Sequence, residues 1–179
     1  MWAFSDESER AGVMLFSVVV IDPGEIAAAR AGLAKLLLPG QRHVHTTDES
    51  ARRRRMVLDG VARTKGLSAV VLRYRRPRGI NRPSGRHLLI QAATGLVVGS
   101  GVSLWTLDNQ DPAQRLRDRA SIAHALAGVD RRLHPVYDHQ LGHAEPLLWA
   151  ADAACWAVGA GGDWQRRLAT ALTVHDIHP

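Results

Sequence analysis

Asp6 and Glu7 close the first apolar stretch of the chain, Met1-Trp2-Ala3-Phe4-Ser5-Asp6-Glu7-Ser8, ahead of a turn expected at Glu9-Arg10-Ala11-Gly12. An ionised carboxylate at the end of a buried strand is costly unless it is paired or holds a metal. Two further acids stand where packing alone would place apolar residues. Asp108 falls near the end of the run Gly101 to Asn109, and Asp152 has Leu148, Trp149, Cys155 and Trp156 three and four positions away on one helix face. Acids from neighbouring strands plus one from a covering helix can converge on a pair of hard cations. For each acid alone, a salt bridge to one of the many arginines is the alternative. Neighbours on a strand face opposite ways, so Asp6 and Glu7 cannot both point into one site; Trp2 and Phe4 share the face of Asp6 and mark it as the covered side.

The elements that must position these acids are legible in the apolar pattern. Val13 to Ile21 is apolar on both alternating faces, as in a central strand covered on both sides by helices, and this implies an α/β fold. Asp22-Pro23-Gly24-Glu25 starts a helix that Pro39-Gly40 stops. Gln41 to Thr47 is expected to be a short extended segment with His43 and His45 on one face. Ser50 caps a helix running to about Lys65, and Leu67 to Tyr74 reads as a strand. A helix from about Ser84 to Gly99 contains alanines and glycines that permit close packing on a sheet. Asp111-Pro112 opens an amphipathic surface helix, charged through Arg115, Arg117, Asp118 and Arg119. His134 to His139 is a short edge strand, because its proline would interrupt a central ladder. The helix carrying Asp152 spans Leu147 to Val158, and a last short helix from Trp164 to Leu172 leads into a polar tail.

At 179 residues and 46% hydrophobic, the chain suits one well-buried core, so residues 1–179 are expected to form a single domain. The net charge of +6 rests on arginine, since Lys35 and Lys65 are the only lysines. Arginine binds phosphate bidentately and stacks on bases, which favours a nucleic-acid partner; GC-rich coding is the plainer source of the same bias. Two clusters carry the signal. Arg52 and Arg53 lie in the run Arg52 to Arg55, whose position in the first turns of a helix opposes the helix dipole, so that phosphate contact or a solvated face must account for it. Arg73, Arg75, Arg76, Arg78, Arg82 and Arg86 flank or occupy a Pro- and Gly-rich loop that can follow a phosphate backbone. Cys155 is the single cysteine, which excludes an intramolecular disulfide and a thiolate zinc cluster. No basic region precedes the first apolar residues, and no apolar run is long enough to span a bilayer, so the expectation is a cytoplasmic protein without membrane contact. Histidines at 43, 45, 134, 139 and 143 offer a zinc site as a rival reading, but no glutamate follows in metalloprotease register.

The order of elements, opening on Asp6-Glu7-Ser8 and closing on Leu147-Leu148-Trp149-Ala150-Ala151-Asp152, resembles the ribonuclease-H-like fold. More narrowly it is similar to a bacterial group of domain-of-unknown-function proteins that open on Asp-Glu-Ser-Gly, carry a histidine after the first helix, here His45, and end on a helix motif close to Leu-Leu-x-x-Ala-Asp. The resemblance implies a mixed sheet, an N-terminal antiparallel hairpin followed by parallel strands, flanked by helices. It also implies magnesium or manganese held by Asp6, Asp108 and Asp152 for hydrolysis of RNA or DNA phosphodiesters, with His45 as ligand or proton shuttle and Glu7 as a further member of the catalytic set. Glu9 replaces the group's glycine, and the helix-borne glutamate of true ribonucleases H has no clear counterpart, since Glu7, Asp48 and Glu49 compete for that role. A non-catalytic module that binds nucleic acid or protein on the same fold is the alternative.

Overall fold

The computed structural model describes residues 1–108 and 111–178. Strands β1 (Trp2–Arg10), β2 (Val13–Ile21) and β3 (Leu67–Arg75) form an antiparallel meander. Strand β4 (Leu104–Asp108) lies parallel to β1, β5 (Val136–Gln140) parallel to β4, and β6 (Leu172–Asp176) parallel to β3. The sheet order is β5-β4-β1-β2-β3-β6. This is the mixed α/β sheet expected from the sequence, with the hairpin first and the parallel strands after it. The turn is tighter than the four residues expected: β1 and β2 run on until only Ala11 (φ 50°) and Gly12 (φ 75°) connect them, the two left-handed positions of a compact hairpin turn.

Helices α1 (Ile26–Ala34), α2 (Ala51–Ala62) and α5 (Pro146–Ala160) cover one face of the sheet, and α3 (Arg82–Gly99) and α4 (Pro112–Leu126) cover the other. The two-sided apolar pattern of β2 is the cause. Leu15, Val19 and Ile21 enter the core under α5, while Met14, Phe16 and Val18 enter the core under α3. Ser50 and Asp111 cap α2 and α4 as expected, accepting from the backbone N–H groups of Arg53 and Gln114. α3 begins flat on the sheet because Gly85 has no side chain: a Cβ there would stand 2.6 Å from the Met14 sulfur.

Three expectations are corrected. The segment around His43 and His45 forms no strand; Thr46–Asp48 is a 3₁₀ turn, because the Thr46 N–H is drawn to a side chain of α5 instead of to a sheet edge. The polar tail contains β6, which pairs with β3, and the short helix before it, α6, spans Gly162–Arg166. Within α4, Asp118 is buried with Ser121, Ile122 and Leu126 and is not part of the charged outer face. Asn109, expected at the end of β4, falls outside the described residues.

Candidate active site

Asp6 and Asp108 are neighbours by register. The parallel pairing of β1 with β4 sets Phe4 against Thr106 and Ser5 against Leu107, so the next step sets Asp6 beside Asp108 on the Phe4 side of the sheet. The indole N–H of Trp105 donates to Ser5 Oγ at 2.8 Å and pins this register within a few residues of the acids. The Phe4 side is covered by α5, whose start is fixed by Glu145: its carboxylate accepts from the Leu147 N–H and from Arg30, at 3.1 Å from Nε. α5 thereby delivers Asp152, 8% exposed, to the face of the sheet that carries Asp6 and Asp108. Asp6, Asp108 and Asp152, together with His43, His45 and His143, line one cleft of 310 Å³. The structure thus brings these three acids and His45 to the walls of one cavity.

The electrostatics of the cleft are those of like charges held close. Burial raises the pKa of Asp6 well above that of an ordinary carboxylate, and the carboxylates of Asp152 and Asp108 raise it further; the Glu7 N–H, donating to Asp6 Oδ1 at 2.7 Å, offsets part of this. Asp152 is raised too, mainly by burial, although its Oδ2 accepts from the Thr46 N–H at 2.7 Å. Burial lowers the pKa of His45, but this is outweighed by its hydrogen bond to Asp48 and by the charge of Asp152, so the imidazole is more basic than usual. Its Nδ1 lies 2.9 Å from Asp48 Oδ2 and its Nε2 lies 3.8 Å from Asp152 Oδ1. Among the described residues no arginine or lysine pairs with Asp6 or Asp152. Carboxylates that line one cleft, with Asp6 raised by the charges of the other two, are the kind of oxygen donors that a hard divalent cation relieves, so these residues fit magnesium or manganese in chemistry. The side chains themselves stand apart: among the described residues no three His, Cys, Asp or Glu side chains lie at the spacing that holds one ion.

Glu7 takes the opposite face, as alternation along a strand demands. It borders the cleft, but its carboxylate, 7% exposed, is bound by Arg82 at 2.7 Å and by Arg86. Arg86 also forks onto Asp118 with two bonds of 2.8 Å, and His139 Nε2 lies 3.2 Å from the same carboxylate. The expected role of Arg86 in binding nucleic acid is therefore corrected: it is 4% exposed and serves two buried acids. Arg53 is likewise turned inward, onto Glu49 at 3.3 Å and the Leu36 carbonyl. Arg73 is engaged by Asp176 of β6 at 2.6 and 2.8 Å, Arg76 by Glu9 and the Ile80 carbonyl, and Arg82 by Glu7 and Glu9. Of the eight arginines expected on nucleic acid, Arg52, Arg75 and Arg78 are exposed with no carboxylate partner among the described residues. Of the histidines in the zinc reading, His139 is buried against Asp118 and His134 Nε2 meets the Val129 carbonyl at 3.0 Å, whereas His43, His45 and His143 line the acid cleft.

The Asp118 network was missed by sequence reasoning, yet one signal was present. Asp118 precedes Ser121 and Ile122 by three and four residues, which puts it on the inner face of α4.

The fold is similar to that of a chain in the solved PCNA:RNase HII complex from Archaeoglobus fulgidus, at a TM-score of 0.56 and 16% identity, covering 89% of this chain and 72% of that one. The shared feature is the ribonuclease-H-like fold. No protein-family model matches the chain, and no curated protein sequence matches it. Among the described residues no helix is long and apolar enough to cross a membrane.

Proposed function

We propose that the chain is a divalent-metal-dependent nuclease that hydrolyses phosphodiester bonds of RNA or DNA. The observation that carries this reading is that Asp6 in the middle of β1, Asp108 at the end of β4 and Asp152 of α5 line one cleft, with Asp6 and Asp152 unpaired by arginine or lysine among the described residues. The neighbour's name, RNase HII, supports the same class of chemistry, and kinship with the bacterial group that opens on Asp-Glu-Ser belongs to the same proposal.

Asp6, Asp108 and Asp152 would hold magnesium or manganese, which when bound activates a water for in-line attack and stabilises the departing oxygen. Asp152 is aimed by the Thr46 N–H and Asp6 by the Glu7 N–H, so two of the three carboxylates are oriented before substrate arrives. His45, at the rim, is held by Asp48 and would carry a proton at Nε2 between the cleft and solvent. Glu7 is a positioning residue: it fixes the stretch of β1 that carries Asp6 through its bonds to Arg82 and Arg86.

Asp6→Asn should reduce cleavage of RNA, DNA or a hybrid in magnesium or manganese by at least about a hundredfold while the fold is kept, measured with purified protein on labelled oligonucleotides. Undiminished cleavage sinks the assignment. The wide spacing of the side chains supports a second reading, a binding module on the same fold. That reading gains if neither metal shifts the melting temperature and no substrate is cut.

A further inference from the structure

Beside the carboxylate cleft, α2, α5 and α6 present arginines and tryptophans in alternation. Trp156 lies one turn beyond Asp152 on α5, about 6 Å along the axis. The guanidinium of Arg54 stands 4.7 Å from the Trp156 ring centroid and donates to the carbonyls of Thr46 and Thr47 at 2.9 and 2.5 Å. The Thr46 N–H in turn holds Asp152, so this first pair is joined directly to the acid cleft. Trp156 meets Trp164 edge to face at 5.1 Å, and the Arg55 guanidinium stands 5.5 Å from the Trp164 centroid. A cavity of 610 Å³ opens between Arg55, Asp163, Trp164, Arg166 and Arg167.

The arginines of this cavity are held by a ring contact and by surface ion pairs, which a ligand can displace. Arg55 is exposed and has no carboxylate partner among the described residues. Arg166 and Arg167 are paired with Asp163 and Asp59 at the surface, where such pairs contribute little and exchange readily with a phosphate. Guanidinium groups give bidentate donors to phosphate, and an indole face gives a platform for an unpaired base.

We propose that this track is a groove for single-stranded nucleic acid leading to the carboxylate cleft, with phosphates on Arg55, Arg166 and Arg167 and a base on Trp164. Its direction relative to the cleft rests on the nuclease reading; its capacity to bind does not. A single strand is favoured over a duplex because stacking on Trp164 needs a base out of its pair.

The test is binding of a fluorescein-labelled 20-nucleotide single strand to the full chain in metal-free buffer, followed by anisotropy across a salt series. Arg55→Ala with Arg166→Ala should weaken binding about tenfold and lower the salt slope by about 1.4, the value for two lost phosphate contacts. Arg55→Ala alone should lower the slope by about half as much. Matching melting curves separate lost binding from lost fold. Unchanged affinity in both variants, no binding by the unmodified chain, or equal competition by polyglutamate or by duplex of the same length overturns the groove. Cleavage that persists with unchanged binding in the variants removes the groove and leaves the nuclease. Binding that is lost in the variants, in a protein that cuts nothing with either metal, leaves the groove and removes the nuclease.

Discussion

Two clusters of buried acids lie back to back across β1, and they are seeded by adjacent residues. Asp6 turns toward α5 and meets Asp108 and Asp152; Glu7 turns toward α3 and meets Arg82 and Arg86, with Asp118 on the far side of Arg86. In the first cluster burial raises the pKa of Asp6 and of Asp152, and the charges of Asp152 and Asp108 raise Asp6 further. In the second, burial pushes Asp118 upward, but the hydrogen bonds from Arg86 and His139 hold it well below the ordinary carboxylate range, and Arg86 is raised in return. Adjacent carboxylates in the middle of one strand thus meet other acids on one face and arginines on the other. On the proposed reading, the difference separates a place kept for a ligand from a joint that holds the fold.

The largest effect should come from breaking the joint. Arg86→Ala leaves Glu7 and Asp118 buried without their cation and should cost about 3–5 kcal/mol in urea unfolding. A loss below about 1 kcal/mol would show that the pair is solvated and the comparison misdrawn.

Next in size are opposed responses to pH and metal. Asp6 has a raised folded pKa, so between 3.8 and that value the unfolded chain has released a proton that the folded chain keeps, and stability falls as pH rises through the window. Asp118 has a lowered folded pKa, so its contribution is present above 3.8 and is lost as pH falls through the folded value. Asp6→Asn should therefore melt higher than the unmodified chain at pH 8 without metal, and the gain should vanish near pH 4. Magnesium or manganese at a hundred times its Kd should stabilise the unmodified chain by about 2.7 kcal/mol and leave Asp6→Asn unmoved. A variant that melts lower at pH 8 would mean that Asp6 is paired after all.

The smallest effect concerns the loop outside both clusters. Arg75→Ala with Arg78→Ala should lower the salt slope of single-strand binding by about 1.4 with stability unchanged to within about 0.5 kcal/mol. An unchanged slope would confine phosphate contact to the other arginines.

How much of this was legible in the sequence depended on whether the cause was local. The strand Val13–Ile21 declares itself because both its faces are apolar, and the caps at Ser50 and Asp111 because their side chains serve backbone groups three residues on. Asp152 was visible as a lone acid among apolar neighbours on its helix. Long-range choices were not visible. Arg86 reads as one more basic residue after a loop, and only the packing of α3 against β1 and α4 assigns it to Glu7 and Asp118, 79 and 32 residues away in number but in hydrogen-bond or ion-pair reach. His45 was expected in a strand; its conformation is set by Asp152, 106 positions beyond Thr46, capturing the Thr46 N–H. Leu172–Asp176 is too short and polar to announce a strand, and its partner lies about a hundred residues upstream in β3.

That last strand has a consequence for how the protein behaves in a crowded solution. Without β6, the nine residues of β3, rich in valine and leucine, would form an open edge with its backbone donors and acceptors unmet, the kind of template on which other chains aggregate. With β6 in place the sheet ends in five residues that carry Asp176 and His175, and the other edge, β5, is as short and carries Asp138. β6 thus closes a sticky margin, and both borders of the sheet are brief and charged where a growing fibril would need them long and plain.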